Sequence, residues 1–392
     1  GCLPHFIFKP HPSQGRWNMK LPALWRDTLK KHLLCTSAIA LGVAAAPAAA
    51  QEWNLDWGGY YNTHVGFADV SGAPIGQDWD GMGIVGDGEI IFTPSVTLDN
   101  GLTFGINVQM EAQNGGGGVD GIDESYITIS SDSFGRIELG GENSAGYKSM
   151  VGAPGVGSFA IMSASVSGFA PIAHAFRQAA GSPWTEVGGN NDVQRVSYFT
   201  PSFNGLTVGV SYAPANNTNA SNAGAFNRNA VALTDIFDIG VRYSQSFGST
   251  DVTIGARWGT GNSNIVGVSD PETWGIGAQV GFGAFTVGGH YAENDNGAVG
   301  GVGDQEGWSL GATYDLDGPW SIGLTGFQGK IDFGAGFQDQ EYNAYKLAGS
   351  RELGAGVSWD IWAVYAENQD LGGVLNADID ATIVGTSINL SF

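Results

Sequence analysis

Ala381–Phe392, ATIVGTSINLSF, is the stretch on which the reading turns. In an extended chain Thr382, Val384, Thr386, Ile388, Leu390 and Phe392 share one side. Ile383, Gly385, Ser387, Asn389 and Ser391 share the other. Successive side chains of a strand point to opposite faces, so the segment pairs an apolar face with a small, polar one, Ile383 being the exception. Its last residue is a bare aromatic, an ending that soluble strands rarely show.

The same two-faced pattern recurs upstream. Residues 102–111 set Leu102, Phe104, Ile106, Val108 and Met110 against Thr103, Gly105, Asn107, Gln109 and Glu111. Val252, Ile254, Ala256 and Trp258 oppose Thr253, Gly255, Arg257 and Gly259. Trp274, Ile276, Ala278, Val280 and Phe282 oppose Gly275, Gly277, Gln279 and Gly281. The second face is too small and polar for a packed soluble core, although a β-sandwich or β-helix stays open as the alternative. Strands are expected over 53–68, 88–98, 102–113, 122–130, 135–142, 192–200, 206–213, 236–247, 250–260, 272–282, 285–293, 306–315, 320–329, 341–351, 356–367 and 380–392, about sixteen in all. The even number suits a barrel whose termini share one side. Turn-like links (Asp99-Asn100-Gly101, Ser202-Phe203-Asn204-Gly205, Gly248-Ser249, Asp317-Gly318-Pro319) alternate with long, Gly/Asn-rich or acidic ones such as 214–235 and 261–271. Aromatics near strand ends (Trp53, Trp57, Trp258, Trp274, Trp308, Tyr314, Trp320, Tyr365) stand where interfacial girdles form.

Composition agrees with a wall that faces lipid. Gly supplies 63 of 392 residues, and charged residues only 14%, against roughly 25% in ordinary domains. Residues 1–50 hold six of the 16 basic residues and one of the 38 acidic ones, so 51–392 carry 10 against 37, a net −27. Such a chain repels nucleic acid. Lys20, Arg26, Lys30 and Lys31 precede an apolar run from Leu33 to Ala46 and an Ala48-Ala49-Ala50 exit. This predicts a signal peptide over 19–50, cleaved before Gln51, with a transmembrane anchor as the alternative. Residues 1–18 read as a non-native upstream segment, and 51–392 as one domain. Cys2 and Cys35 both precede residue 51, which leaves no disulfide or thiolate site beyond it.

Between the strands ending near Glu142 and starting near Asp192 lies a separation of almost fifty residues, too apolar for disorder, with Phe159, Ile161, Met162, Phe169, Ile172, Phe176 and Trp184. The terminal strand resembles that of Gram-negative outer-membrane barrels, in which a C-terminal Phe helps the insertion machinery recognise the chain. A fifth strand followed by a long loop resembles the trimeric general diffusion porins, most closely the α-proteobacterial type. The resemblance implies an all-β, transmembrane antiparallel β-barrel of about 16 strands with a long infolded third loop. It also implies a homotrimer among outer-membrane lipid and lipopolysaccharide, passing small hydrophilic solutes and ions by passive diffusion. In that family a constriction sets basic wall residues against carboxylates of the loop.

Alternation turns Arg136, Arg195, Arg242 and Arg257 to the Gly/Ser face, the lumen, since Arg toward lipid at mid-depth costs about 2–4 kcal/mol. Arg195, Arg242 and Arg257 fall about midway along their strands and Arg136 near a short-turn rim. Alternatively, these arginines only pair with carboxylates such as Asp238. From Asn143 to Thr185 the loop has no acidic residue. Pro171–Ala180 reads as a short helix ended by Gly181, with His174, Arg177 and Gln178 on one face, presented to the lumen. The transverse field is then expected to be weaker than in that family, unless Asp56, Glu111 or Glu138 supplies the negative side. Other signals are weak. Asp78–Glu89 (DWDGMGIVGDGE) departs from a calcium loop at Met82, and 115–123 (GGGGVDGID) is a single copy of a repeat that works in tandem. No cofactor is expected, with Ca²⁺ on acidic external loops the one candidate. The chain is expected not to be an enzyme. A substrate-specific channel and a barrel enzyme are the alternatives, the latter needing Ser and His together on the outer wall. The acidic exterior predicts a weak preference for cations.

Overall fold

The computed structural model describes residues 51–113, 121–162, 164–172, 181–189, 191–218, 227–296, 303–333, 339–369 and 378–392. The strands are β1 Trp57–Ser71, β2 Gly81–Phe92, β3 Ser95–Thr97, β4 Thr103–Gln113, β5 Ser125–Ser131, β6 Gly135–Glu142, β7 Val193–Phe199, β8 Leu206–Ala215 and β9 Leu233–Phe247. They continue with β10 Thr250–Ser263, β11 Glu272–Phe282, β12 Phe285–Asp295, β13 Asp304–Asp315, β14 Trp320–Asp332, β15 Gln340–Gly354, β16 Val357–Gln369 and β17 Asp378–Ser391. β2 and β3 both pair with β4 and are two parts of one barrel strand. Pro94 separates them because it has no N–H to give the ladder, while its carbonyl still accepts from Ile106 N at 3.0 Å.

Each strand is antiparallel to its sequence neighbour, and β1 pairs on its other edge with β17, from Tyr60↔Ser391 to Ser71↔Asp380. The sixteen-stranded sheet is therefore a closed barrel with no free edge. At the seam Phe392 N donates to Gly59 O at 3.1 Å and Gly59 N to Phe392 O at 3.0 Å. Seven short turns lie on the rim that holds this seam. At two of them Asn204, Gly205 and Gly248 adopt the positive φ that a tight hairpin requires. The long links, residues 143–192 among them, leave from the other rim.

The terminal segment divides as its alternation predicts: Val384, Ile388 and Leu390 point outward and are exposed, whereas Ser387 and Ile383 are buried inside. Leu310, Leu324, Leu347 and Ile361 are likewise exposed on the outer wall. So continuous an apolar exterior would be unfavourable in water by about 25 cal/mol per Å² and is at ease in hydrocarbon. Ile383, the exception in the pattern, belongs to a lumenal apolar cluster with Phe159, Phe169 and Trp362.

One stretch needs correction. Residues 81–87, which lie in the calcium-like stretch Asp78–Glu89 and outside the expected strands, form the first half of β2, where exposed Met82 and Ile84 alternate with Gly83 and buried Val85. The Asp/Gly spacing of a calcium loop concealed this period of two.

Candidate functional site

In its described parts the third long loop, residues 143–192, runs along the inner wall. It starts with a short helix, Ala145–Ser149, capped by Ser144, whose hydroxyl accepts from Tyr147 N. Ala145 N donates to Ser211 Oγ at 2.9 Å, fixing the helix against β8. The chain beyond it then follows a lane of lumenal glycines. A Cβ on Gly240, Gly255, Gly277 or Gly311 would overlap backbone atoms of Ala145, Ser149, Val151 or Pro154 respectively. Wall side chains hold the carbonyls along this lane: Arg242 Nη1 donates to Met150 O (3.3 Å), Gln279 Nε2 to Gly152 O (2.9 Å) and Thr325 Oγ1 to Pro154 O (2.9 Å). Gly and polar residues that could not fill a soluble core are here the seat of a second layer of chain.

Farther along, the loop turns apolar and covers the wall of β14–β17, β1 and β2. Phe159 stacks on Trp362 at 4.0 Å between ring centres and meets His64 edge-on at 5.2 Å. Ile161 O accepts from Tyr342 OH at 2.5 Å. On the way back, Gly181 O meets His290 Nε2 at 3.1 Å, and Thr185 O accepts from Arg257 Nη1 at 2.5 Å.

The returning arm brings Glu186 into a buried quartet. Arg257 Nη2 lies 3.2 Å from Glu186 and also pairs with Asp238, and Arg195 Nη2 lies 4.0 Å from Glu186. The two arginine side chains are each 1% exposed. Glu186 also accepts from Ser144 N at 2.7 Å, joining the loop's two ends. Burial alone would raise the Glu186 carboxyl, but Arg195, Arg257 and the Ser144 N–H outweigh it and hold it below the usual carboxylate range. Beside the quartet, Lys148 Nζ bridges Glu138 (2.8 Å) and Glu142 (2.5 Å) and lies over the Tyr126 ring at 4.6 Å. Burial opposes its charge, yet Glu142 and Glu138 raise its pKa above the lysine range.

The arginines selected from the sequence thus divide. Arg195 and Arg257 face inward but lie behind the loop with Glu186 and Asp238. Arg242 is exposed in the lumen, and Arg136 pairs with Glu138 at 2.7 Å near the short-turn rim, its side chain 47% exposed. His174 and Arg177 lie outside the described residues, as do residues 173–180 of the proposed helix and the export signal. Asp56 is exposed before β1 at the short-turn rim.

Glu111 belongs to a group the sequence did not assemble: carboxylate oxygens of Glu89, Glu111 and Asp123 lie within 4.8 Å of one another. Glu89 and Asp123 end the two weak calcium-like stretches, so both converge on one lumenal patch. Glu124 stands beside it, accepting from Gln109 (2.8 Å) and Asn143 (2.6 Å). Burial first, then Asp123 and Glu124, push the Asp192 carboxyl up to about 8.

A closed barrel with an apolar exterior and a polar interior narrowed by its own loop defines a transmembrane channel. The chain belongs to the Gram-negative porin family, whose profile matches residues 36–371. It forms a diffusion channel of the bacterial outer membrane. Solved structures with the same fold include an anion-selective porin from Comamonas acidovorans, 16% identical over 87% of this chain and 100% of the other, with a TM-score of 0.55. OmpT, an outer membrane protein of Vibrio cholerae in a trimer form, is 13% identical over 87% and 99%, with a TM-score of 0.57. A mutant Rh. blastica porin is 16% identical over 86% and 100%, with a TM-score of 0.52. No curated protein matches the chain.

Proposed function

We propose that this porin passes small hydrophilic solutes and ions with a weak preference for cations. The observation that carries the reading is the division of lumenal charge: Glu89, Glu111 and Asp123 gather on one wall, while Arg195 and Arg257 are neutralised by Glu186 and Asp238. A reversal potential across a KCl gradient should report cation selectivity; an anion-selective value would sink the reading. Ca²⁺ is the ion this patch would take, in place of the external loops. Millimolar Ca²⁺ should therefore lower the cation preference of the native chain and spare that of a Glu111→Gln variant. Equal responses would count against it.

Asp192 adds a pH dependence. Its folded pKa is raised, so the stability tied to its neutral form is complete below the ordinary carboxylate value and is lost as pH rises through about 8. The charge gained over that window adds to the acidic patch, so cation preference should increase from pH 6 to pH 9 and Asp192→Asn should flatten the increase. A profile that is unchanged by the substitution contradicts the assignment.

We read the chain as a homotrimer that packs through β5 and β6. These strands, with their neighbour β7, have only 7 or 8 residues, against about 9–11 for a strand that crosses lipid alone. The outward side chains of β5 and β6, Ile127, Ile129, Ile137 and Leu139, include no girdle aromatic. A fluorophore at Leu139 should be shielded from brominated lipid and one at Leu324 quenched. Equal quenching at the two sites would exclude this face. Two Ser–His pairs support a non-enzymatic reading: His64 Nδ1 with Ser387 Oγ (2.7 Å) and His290 Nδ1 with Ser309 Oγ (2.5 Å) are lumenal and buried under the loop, out of reach of a substrate.

A further inference from the structure

Among the lumenal groups with no part in the charge division above, Lys346 and Asp360 are the most unusual. Both are buried, at 5% and 0% exposed, on adjacent strands β15 and β16. Lys346 Nζ donates to two carbonyls of the third loop, Val156 O at 2.9 Å and Phe159 O at 2.7 Å. Asp360 Oδ2 accepts from the Ser158 backbone N–H at 3.0 Å and from Asn389 Nδ2 at 2.7 Å. Between these residues Gly157 adopts φ +75°, and a Cβ there would press on the Asp360 carboxylate.

The wall thus presents a cation to the carbonyls of one turn and an anion to its amide. Neither charge is placed where a permeating ion would meet it. A buried ammonium needs strong acceptors, and the loop's carbonyls supply them only while Val156–Phe159 holds this shape. The turn also ends on Phe159, whose ring anchors the apolar half of the loop on Trp362. Displacing the turn would therefore release both the polar and the apolar attachment.

We propose that Lys346 and Asp360 are positioning residues that clasp the turn Val156–Phe159 and thereby fix the bore of the channel. The clasp rests on the channel reading above. Its test is single-channel recording of Lys346→Met in planar bilayers. The variant should insert and conduct, with open-channel current variance raised severalfold and a larger limiting size for neutral solutes. A disulfide from Ser158→Cys and Asn389→Cys, added to Lys346→Met, should restore the quiet current, and reductant should abolish the restoration. Residues 51–392 contain no other cysteine to interfere. A Lys346→Met channel as quiet and as size-selective as the native one overturns the clasp. Should that variant not fold, Gly157→Ala takes its place: raised variance supports the clasp, and a native-like current overturns it. Native protein that forms no channels would instead overturn the channel reading itself.

Discussion

Glu186→Ala is expected to detach the returning arm of the third loop while leaving the barrel closed. Four buried charges, Arg195 and Arg257 against Glu186 and Asp238, balance in the native protein. Without Glu186 the balance is net positive in a space closed to water. Breaking a buried pair by removing one partner costs about 3–5 kcal/mol, more than the median of about 0–1 kcal/mol for an exposed pair. The barrel ladders contain none of these side chains, so the cost should fall on loop docking. Protease added to detergent-solubilised protein should then cut within 143–192, and single-channel conductance should rise. Native-like resistance together with native conductance would show that the quartet does not hold the arm. Half-exposed Arg136, which pairs with buried Glu138, is a built-in comparison: Lys148 still neutralises Glu138 without it, so Arg136→Ala should change conductance with little effect on protease resistance.

The opposite displacement is expected from Gly277→Ala. There the added methyl group overlaps Val151 O, a backbone atom that has no rotamer with which to escape. Overpacking of this kind costs about 1–3 kcal/mol. The loop, pushed off its lane, can move only toward the channel axis. Conductance should fall, most for the largest permeant solutes. Gly281→Ala is the matched control, because on the same strand and face its Cβ would find its nearest neighbour at an ordinary 3.5 Å. Equal conductance in the two variants would show that the lane does not set the position of the loop.

Much of the barrel was legible because the pleat has a period of two and its two sides met different surroundings. The alternation in 252–259 and 381–392 assigned the lumenal face at every residue quoted, Arg257 included. It could not say which lumenal positions a distant segment would cover. In the sequence Arg195 and Arg257 fit open pore lining as well as pairing with carboxylates; the structure pairs Arg257 with Asp238, as that alternative has it, and adds Glu186, one residue beyond the acid-free stretch. Ile383 read as an irregularity for the same reason. In the sequence Lys346 and Asp360 are ordinary polar residues on the inward side of a strand. Only the loop's course makes their burial visible. The start of β2 is hidden in the sequence because its Asp and Gly spacing imitates a metal loop.

The seam between β1 and β17 has a consequence for assembly. Tyr60↔Ser391 joins residues near the two ends of the described chain, so it is among the contacts most distant in sequence that this fold makes. Such pairings carry the greatest loop-closure cost and are intrinsically slow. The barrel cannot be complete until Phe392 has paired, and anything already within is then enclosed. Val156–Phe159 and the arm carrying Glu186 must therefore already be inside, or enter through a rim afterwards. Biogenesis of this protein is thus a matter of timing, since the order of seam closure and loop entry decides whether the cylinder is sealed around its own obstruction or receives it later.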